Sequence, residues 1–264
     1  MKVNPIVILS KTIDDNYKNM LEQCIKSYLN VDNSYFIIVE NDSRAYNELV
    51  VNKFCLNHNY ITEMSHLFYR GNSYKYIYII DSVNNNQYCY ICYDEPFNYN
   101  KALNIASYYI KNYIYMKNIK HIIYSNNDVI AKPDFYNGVI KSFSLDKSLM
   151  SLSPYTPNWH CHNNYHTNKP LHYGYKRSYE FTGWCHIIKP EFLNIIDSFD
   201  ENIVFHYSDD DLIHTMKQKN IKHALSTLIE VTHLTSFSHD LIPIEKRNEY
   251  LYDDSYYKKK WGLT

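Results

Sequence analysis

Two apolar runs near the amino terminus, Pro5 to Leu9 and Tyr35 to Glu40, each lead into a stretch of helical spacing. That order commits the chain to an α/β architecture, because parallel strands cannot be joined by a tight turn and take a helix as their crossover. After the first run, Asp14 opens a segment in which Tyr17, Met20, Leu21, Cys24, Ile25, Tyr28 and Leu29 recur at the intervals of one helix face. After the second come Asn41, Asp42 and Ser43, residues suited to start a helix, which is expected to run to about Leu56.

The same reading extends along the chain. Tyr74 to Asp81 and Gln87 to Tyr93, separated by Ser82 to Asn86, form an inserted hairpin. Asn100 to Lys117, Pro133 to Phe143, Pro190 to Ile196 and Asp209 to Lys219 are helices. His121 to Tyr124, Leu149 to Leu152, Cys185 to Ile188 and Leu228 to His233 are strands. Pro154 to Arg177 lacks periodicity and carries His160, His162, His166 and His172, so it is read as a long functional loop or a lid. With no internal repeat or linker, 264 residues at 45% hydrophobic content suit a single domain over about 1–240, followed by a Lys- and Tyr-rich tail over 241–264.

Charge and cysteine usage narrow the function. Twenty-seven Lys and Arg against 28 Asp and Glu give a net charge of -1, so a polyanion would need a local basic patch. No apolar span of membrane length and no signal peptide is seen, which places the expectation in the cytoplasm. The 29 Tyr against 5 Gly, with abundant Asn, Ile and Lys, suggest an AT-rich genome, bacterial or viral; a viral chain would work in host cytoplasm. Of six cysteines, Cys89 and Cys92 have redox-motif spacing, but in a strand their sulfurs point to opposite faces.

The chemistry concentrates at three places. Ile122 to Tyr124 ends in Ser125-Asn126-Asn127-Asp128, and a carboxylate at the carboxyl end of a strand can hold a divalent metal on a phosphate-bearing substrate. The triplet is also ordinary turn chemistry. Asp209, Asp210 and Asp211 precede an apolar helical run, where they suit the helix dipole and where one of them can act as a general base. His233 ends a strand, as a core histidine or as a ligand, with His239 as its rival. The histidines from His160 to His172 lack zinc spacing and read as a polar loop.

Taken in order, several stretches resemble the nucleotide-sugar-dependent glycosyltransferases of the GT-A fold, specifically the inverting family 2, over nearly the whole chain. They are Ile6 to Ser10 with Leu21 to Tyr28 and Ile37 to Ser43; Phe97-Asn98-Tyr99-Asn100-Lys101-Ala102-Leu103-Asn104-Ile105-Ala106; Ser125 to Asp128 with Lys132 to Phe135; Phe181-Thr182-Gly183-Trp184 to Pro190; Tyr207 to Leu212; Val231 to Ser236; and Tyr256 to Gly262. Ala106 stands where family members often carry Gly, Asn126-Asn127 reduces an acidic motif, and Ser208 replaces an acid.

The resemblance implies a Rossmann-like, mostly parallel sheet flanked by helices, with the nucleotide in about 1–130 and the acceptor in about 131–240. It implies that Asp128 and His233 hold Mn²⁺ or Mg²⁺. Glu40, or Asp42, would contact the base, and Ser10, Asn100, Asn126 and Asn127 would line the donor site. Lys260 and Trp261 of the tail would close near the donor. Asp209 would be the general base, with Asp210 as the alternative, and Gly183 and Trp184 would border an acceptor also met by Trp159, His160 and His162. The donor would be a nucleoside-diphosphate sugar, UDP favoured, and the acceptor a glycan hydroxyl. Two alternatives stay open. One is transfer to a hydroxymethylated base in viral DNA, with Lys169, Lys176, Arg177 and Lys258 to Lys260 as the basic patch. The other is a non-catalytic glycan- or metal-binding module. Oligomeric state is not legible.

Overall fold

A computed structural model describes residues 3–12, 14–47, 60–81, 83, 86–114, 116–160, 169–234 and 255–263. Strand β1 (Asn4–Ser10) is buried along its whole length, as a strand covered on both faces must be. Helix α1 (Asp15–Ser27) starts where the cap was expected, the Asp14 carboxylate accepting from the N–H groups of Asn16 and Tyr17 at 2.8 and 3.1 Å. It carries the chain to β2 (Ser34–Glu40), which lies parallel to β1 with Ile6 opposite Phe36. Asp42 caps α2 (Ser43–Tyr46) in the same way. Most of the segment expected to continue that helix to Leu56 lies outside the described residues.

The next three strands form a meander. The hairpin of β4 (Asn72–Asp81) and β5 (Gln87–Cys92) is the expected one, and β5 then runs parallel to β2. Strand β3 (Tyr60–Tyr69) is an addition that the sequence reading passed over. It joins β4 through Arg70 and Gly71, both at positive φ (48° and 82°), the conformation of a two-residue hairpin turn. Its pattern is weak because it is the edge strand: Ile61, Met64 and Phe68 are exposed, and only Leu67 and Tyr69 at its end are buried, too few to impose an alternation along its sequence.

Helix α3 (Tyr99–Tyr113) leads into β6 (Ile122–Asn126), parallel to β1 on its other side. Then follow β7 (Val129–Ala131), α4 (Phe135–Leu145), β8 (Ser151–Tyr155), α5 (Pro157–His160), β9 (Leu171–Tyr173), β10 (Cys185–Ile188), α6 (Glu191–Ile196), α7 (Ser208–Gln218), β11 (His223–His233) and α8 (Ser255–Trp261). The sheet order is β3-β4-β5-β2-β1-β6-β10-β8-β11-β7, with β9 on β11. The centre, β5-β2-β1-β6, is parallel; β10 is antiparallel to both neighbours, and the sheet is mixed from there outward. The stretch from Pro154 is therefore only partly loop, since β8, α5 and β9 occupy much of it. Among the described residues no helix is long and apolar enough to cross a membrane.

The sheet separates two apolar layers. Ile6, Ile8, Phe36 and Ile38 pack with α1 and α4 on one side; Val7, Ile37, Val39 and Ile105 pack with α3 and α6 on the other. Cys92 belongs to the first layer and Cys89 to the second, the opposite-face placement expected of i and i+3 in a strand. Burial pushes both thiols up, Cys89 to about 12 and Cys92 to about 11, which leaves them un-ionised and unreactive at neutral pH. Cys55 and Cys161 lie outside the described residues.

A buried polar knot crosses the second half of the sheet. The Ser151 hydroxyl sits 2.6 Å from His186 Nε2 and 2.6 Å from His223 Nδ1. Burial holds both imidazoles below their ordinary range, His223 at about 4. An unfolded histidine titrates near 6.5, so the folded state keeps these rings neutral where the unfolded chain binds protons. The stability they contribute is complete above pH 6.5 and is lost as pH falls toward 4. Urea unfolding at pH 7.5 and 4.5 should show His223 contributing about 2–3 kcal/mol to the acid loss. His223→Gln should flatten that dependence, and an unchanged slope would remove the histidine from the account.

Candidate active site

The carboxyl ends of β1, β2 and β6 open onto one side of the sheet, where ligands of α/β proteins bind. β6 ends at Asn126, whose N–H donates to Trp184 O at 2.8 Å. Asn127 and Asp128 turn the chain into β7, which pairs antiparallel with β11 so that Val129 stands opposite His233. The Leu234 N–H closes that end on Asp128 O at 2.9 Å. This register brings together two residues more than a hundred positions apart: His233 Nε2 lies 3.2 Å from Asp128 Oδ2.

Asp128 is 5% exposed, and its other oxygen, Oδ1, is buried without a hydrogen-bond partner among the described residues. A buried carboxylate oxygen left unpaired is costly, and a cation is the group that answers it. One carboxylate and one imidazole fit Mn²⁺ or Mg²⁺ when further oxygen ligands come from a substrate. Among the described residues no group of three His, Cys, Asp or Glu side chains is placed to hold a metal, so the rest of the shell is left to ligand or solvent. His239 lies outside the described residues. Trp184 stacks on the His233 ring (centroids 4.6 Å apart, planes within 6°), and Trp159, 41% exposed, meets Trp184 edge-on at 5.5 Å.

The three consecutive aspartates of α7 face three directions, as 100° per residue requires. Asp210 accepts from Arg177 Nη1 at 2.6 Å. Asp211 Oδ1 accepts from Trp261 Nε1 at 2.8 Å and from Lys260 Nζ at 2.6 Å. Asp209 lies against Gly183, so closely that a Cβ on Gly183 would overlap its carboxylate. That is the physical reason for glycine there. Burial, and then the neighbouring charge of Asp210, push Asp209 up to about 6, with Arg177 opposing. A carboxyl raised this far is a stronger base at neutral pH than an ordinary aspartate, and among the described residues no salt bridge neutralises it.

Tyr99 joins the end of β6 to the loop before β10, and the sequence reading missed its role. Its hydroxyl lies 3.2 Å from Gly183 O and 3.4 Å from Asn126 Oδ1. Burial, then the charges of Asp209 and Asp128, push the phenol up, so it is a neutral hydroxyl in the field of both. The sequence signals were its position directly after Asn98, the cap of α3, and its place in the resembling stretch from Phe97 to Ala106.

The other expected residues divide. Ser10 and Asn127 are near each other on the floor of the opening, Asn127 Nδ2 donating to Ser10 Oγ at 3.4 Å. Glu40, at 2% exposure, accepts from Thr12 N and Thr12 Oγ1 at 2.7 and 2.8 Å and closes the loop after β1. Burial raises it. Asp42 is the α2 cap; although burial opposes it, the Ala45 and Arg44 N–H groups and the Arg44 side chain hold its carboxyl low. The Asn100 amide donates to Asp200 O at 2.8 Å. With Asn98 on Glu201 O and Asn104 on Phe199 O, it ties α3 to the 199–201 loop.

On the acceptor side, His160 is fully buried. Its Nδ1 meets the Thr156 N–H at 2.8 Å and its Nε2 the Tyr179 O at 3.1 Å, so it braces the loop internally. Burial lowers it to about 4. His162 and His166 lie outside the described residues. In the tail, Lys260 pairs with Asp200 and Asp211, and Trp261 stacks on His214 at 4.8 Å, locking α8 onto α7.

No family model matches this sequence, and no curated protein matches it. Solved structures do. The structure of S. aureus TarS 1-349 is similar at TM-score 0.52 and 12% identity, over 86% of this chain and 60% of that one. The mannosyltransferase PcManGT from Pyrobaculum calidifontis, in complex with GDP-Man and Mn²⁺, is similar at TM-score 0.55 and 12% identity, over 90% of this chain and 58% of that one. The chain thus spans about three fifths of each neighbour's length. The fold, an α/β unit with helices flanking one large sheet, is shared with both of these structures.

Proposed function

We propose that this chain is a metal-dependent glycosyltransferase that moves a sugar from a nucleoside-diphosphate sugar, UDP favoured, to a hydroxyl of a glycan with inversion. The observation that carries the reading is the Tyr99 hydroxyl, which feels two differently prepared carboxylates: Asp128 with an unpartnered oxygen beside His233, and Asp209 raised to about 6 over Gly183. The Pyrobaculum mannosyltransferase, which shares the fold, carries GDP-Man and Mn²⁺.

A divalent cation held by Asp128 and His233 would supply the positive charge that a leaving diphosphate needs. Asp209 takes the proton of the acceptor hydroxyl as that oxygen attacks the anomeric carbon. The new carbon–oxygen bond forms on the face opposite the breaking bond to the diphosphate, so configuration inverts. Trp159 and Trp184 offer aromatic faces to a sugar. Donor binding is assigned to about 1–130, acceptor binding to about 131–240, and 241–264 to a tail near the donor, in a cytoplasmic enzyme. Glycan is preferred over modified DNA because Arg177 is paired with Asp210 and Lys260 with Asp200 and Asp211, which removes two cations from the basic patch that a duplex would need.

A thermal-shift panel of nucleoside diphosphates and their sugars with Mn²⁺ tests this. A ligand at a hundred times its dissociation constant adds about 2.7 kcal/mol, roughly 5–10 °C for a chain of this size. Uridine nucleotides should give the largest shift. No shift with any nucleotide would end the proposal.

A further inference from the structure

We propose that Trp184 is a positioning residue for His233, holding the imidazole in the plane that meets the cation; this rests on the reading of Asp128 and His233 as the cation site. A metal-binding histidine is normally oriented by a hydrogen bond from its second ring nitrogen to a carboxylate or carbonyl. Among the described residues His233 has only its Nε2 contact with Asp128, and no such bond is made by Nδ1. It is also the last residue of β11, where the ladder that would restrain it stops. What fixes the ring is Trp184, lying flat against it at 4.6 Å and 6°.

Trp184 is itself held. Its carbonyl accepts from Asn126 N at 2.8 Å, which ties it to the metal strand. The edge of Trp159 packs against it at 74°, and Trp159 is anchored by its own Nε1 on Ser178 O at 2.9 Å. Among the described residues the Trp184 Nε1 is buried without a partner. A buried tryptophan usually bonds its N–H. Here that bond is forgone while the flat face against His233 is kept. The stack turns Nε2 toward Asp128 Oδ2 and leaves Asp128 Oδ1 open.

The test measures Mn²⁺ alone, by the electron paramagnetic resonance of the free ion, on the full chain and its variants. Trp184→Met keeps an apolar side chain and loses the flat face; it should weaken Mn²⁺ binding about fivefold, the size of one aromatic pair. Trp184→Phe restores a face and should bind within about twofold of the parent. Bound Mn²⁺ should also quench tryptophan emission in the parent with the same midpoint, and Trp184→Phe should lose that quenching; this arm decides the matter even if Trp184→Met does not fold. Trp184→Met binding like the parent, or quenching that persists in Trp184→Phe, overturns the positioning role. If Asp128→Asn and His233→Ala weaken Mn²⁺ while the Trp184 variants do not, the positioning role alone fails. If Asp128→Asn and His233→Ala bind Mn²⁺ like the parent, the cation site falls and this inference with it.

Discussion

Asp209→Asn is expected to fold, to bind nucleotide within about threefold of the parent, and to lose roughly a hundredfold or more of its transfer turnover. The substitution keeps shape and removes basicity. Asp210→Asn should cost less than about tenfold, because that carboxylate is already engaged by Arg177 and acts on the reaction only through its charge on Asp209. Turnover of the parent should rise with pH through about 6, where Asp209 gives up its proton, and then level. Gly183→Ala is the companion variant. Its added Cβ overlaps the Asp209 carboxylate, so turnover should fall by tenfold or more with no acid removed. An active Asp209→Asn with a dead Asp210→Asn would move the base by one residue, and two active variants would exclude single displacement.

The parts of the fold that were legible in the sequence are those where burial imposes a period. β1, α1, β2 and β10 face packed layers, and their apolar spacing follows from that. β3 escaped because Ile61, Met64 and Phe68 point to solvent at the sheet edge, and β9 because three residues are too few to show a period. In the site, Asp128, His233 and Asp209 stand at element ends, where strand and helix signals locate a residue closely. Side-chain direction was not legible. Nothing local says that Glu40 turns to Thr12, that Asn100 reaches Asp200, or that His160 faces inward, because those partners lie 28, 100 and 19 positions away. Tyr99 escaped for the same reason: its partners come from β6 and from the loop before β10.

Asp128→Ala should abolish the metal-dependent part of nucleotide binding. Asp128 is the buried carboxylate on which the cation site depends, and its loss leaves His233 without a charged partner. Diphosphate oxygens would then have no cation to complete, and among the described residues no cluster of ligands stands ready to replace it. Affinity should fall at least tenfold, to the level that base and ribose contacts sustain.

The direct measurement is calorimetric titration of the full chain with UDP in the presence of Mn²⁺ and again with excess chelator. We expect saturable binding with Mn²⁺, a loss of at least tenfold in chelator, and no difference between the two conditions in Asp128→Ala. Equal affinity with and without metal in the parent protein would contradict the account.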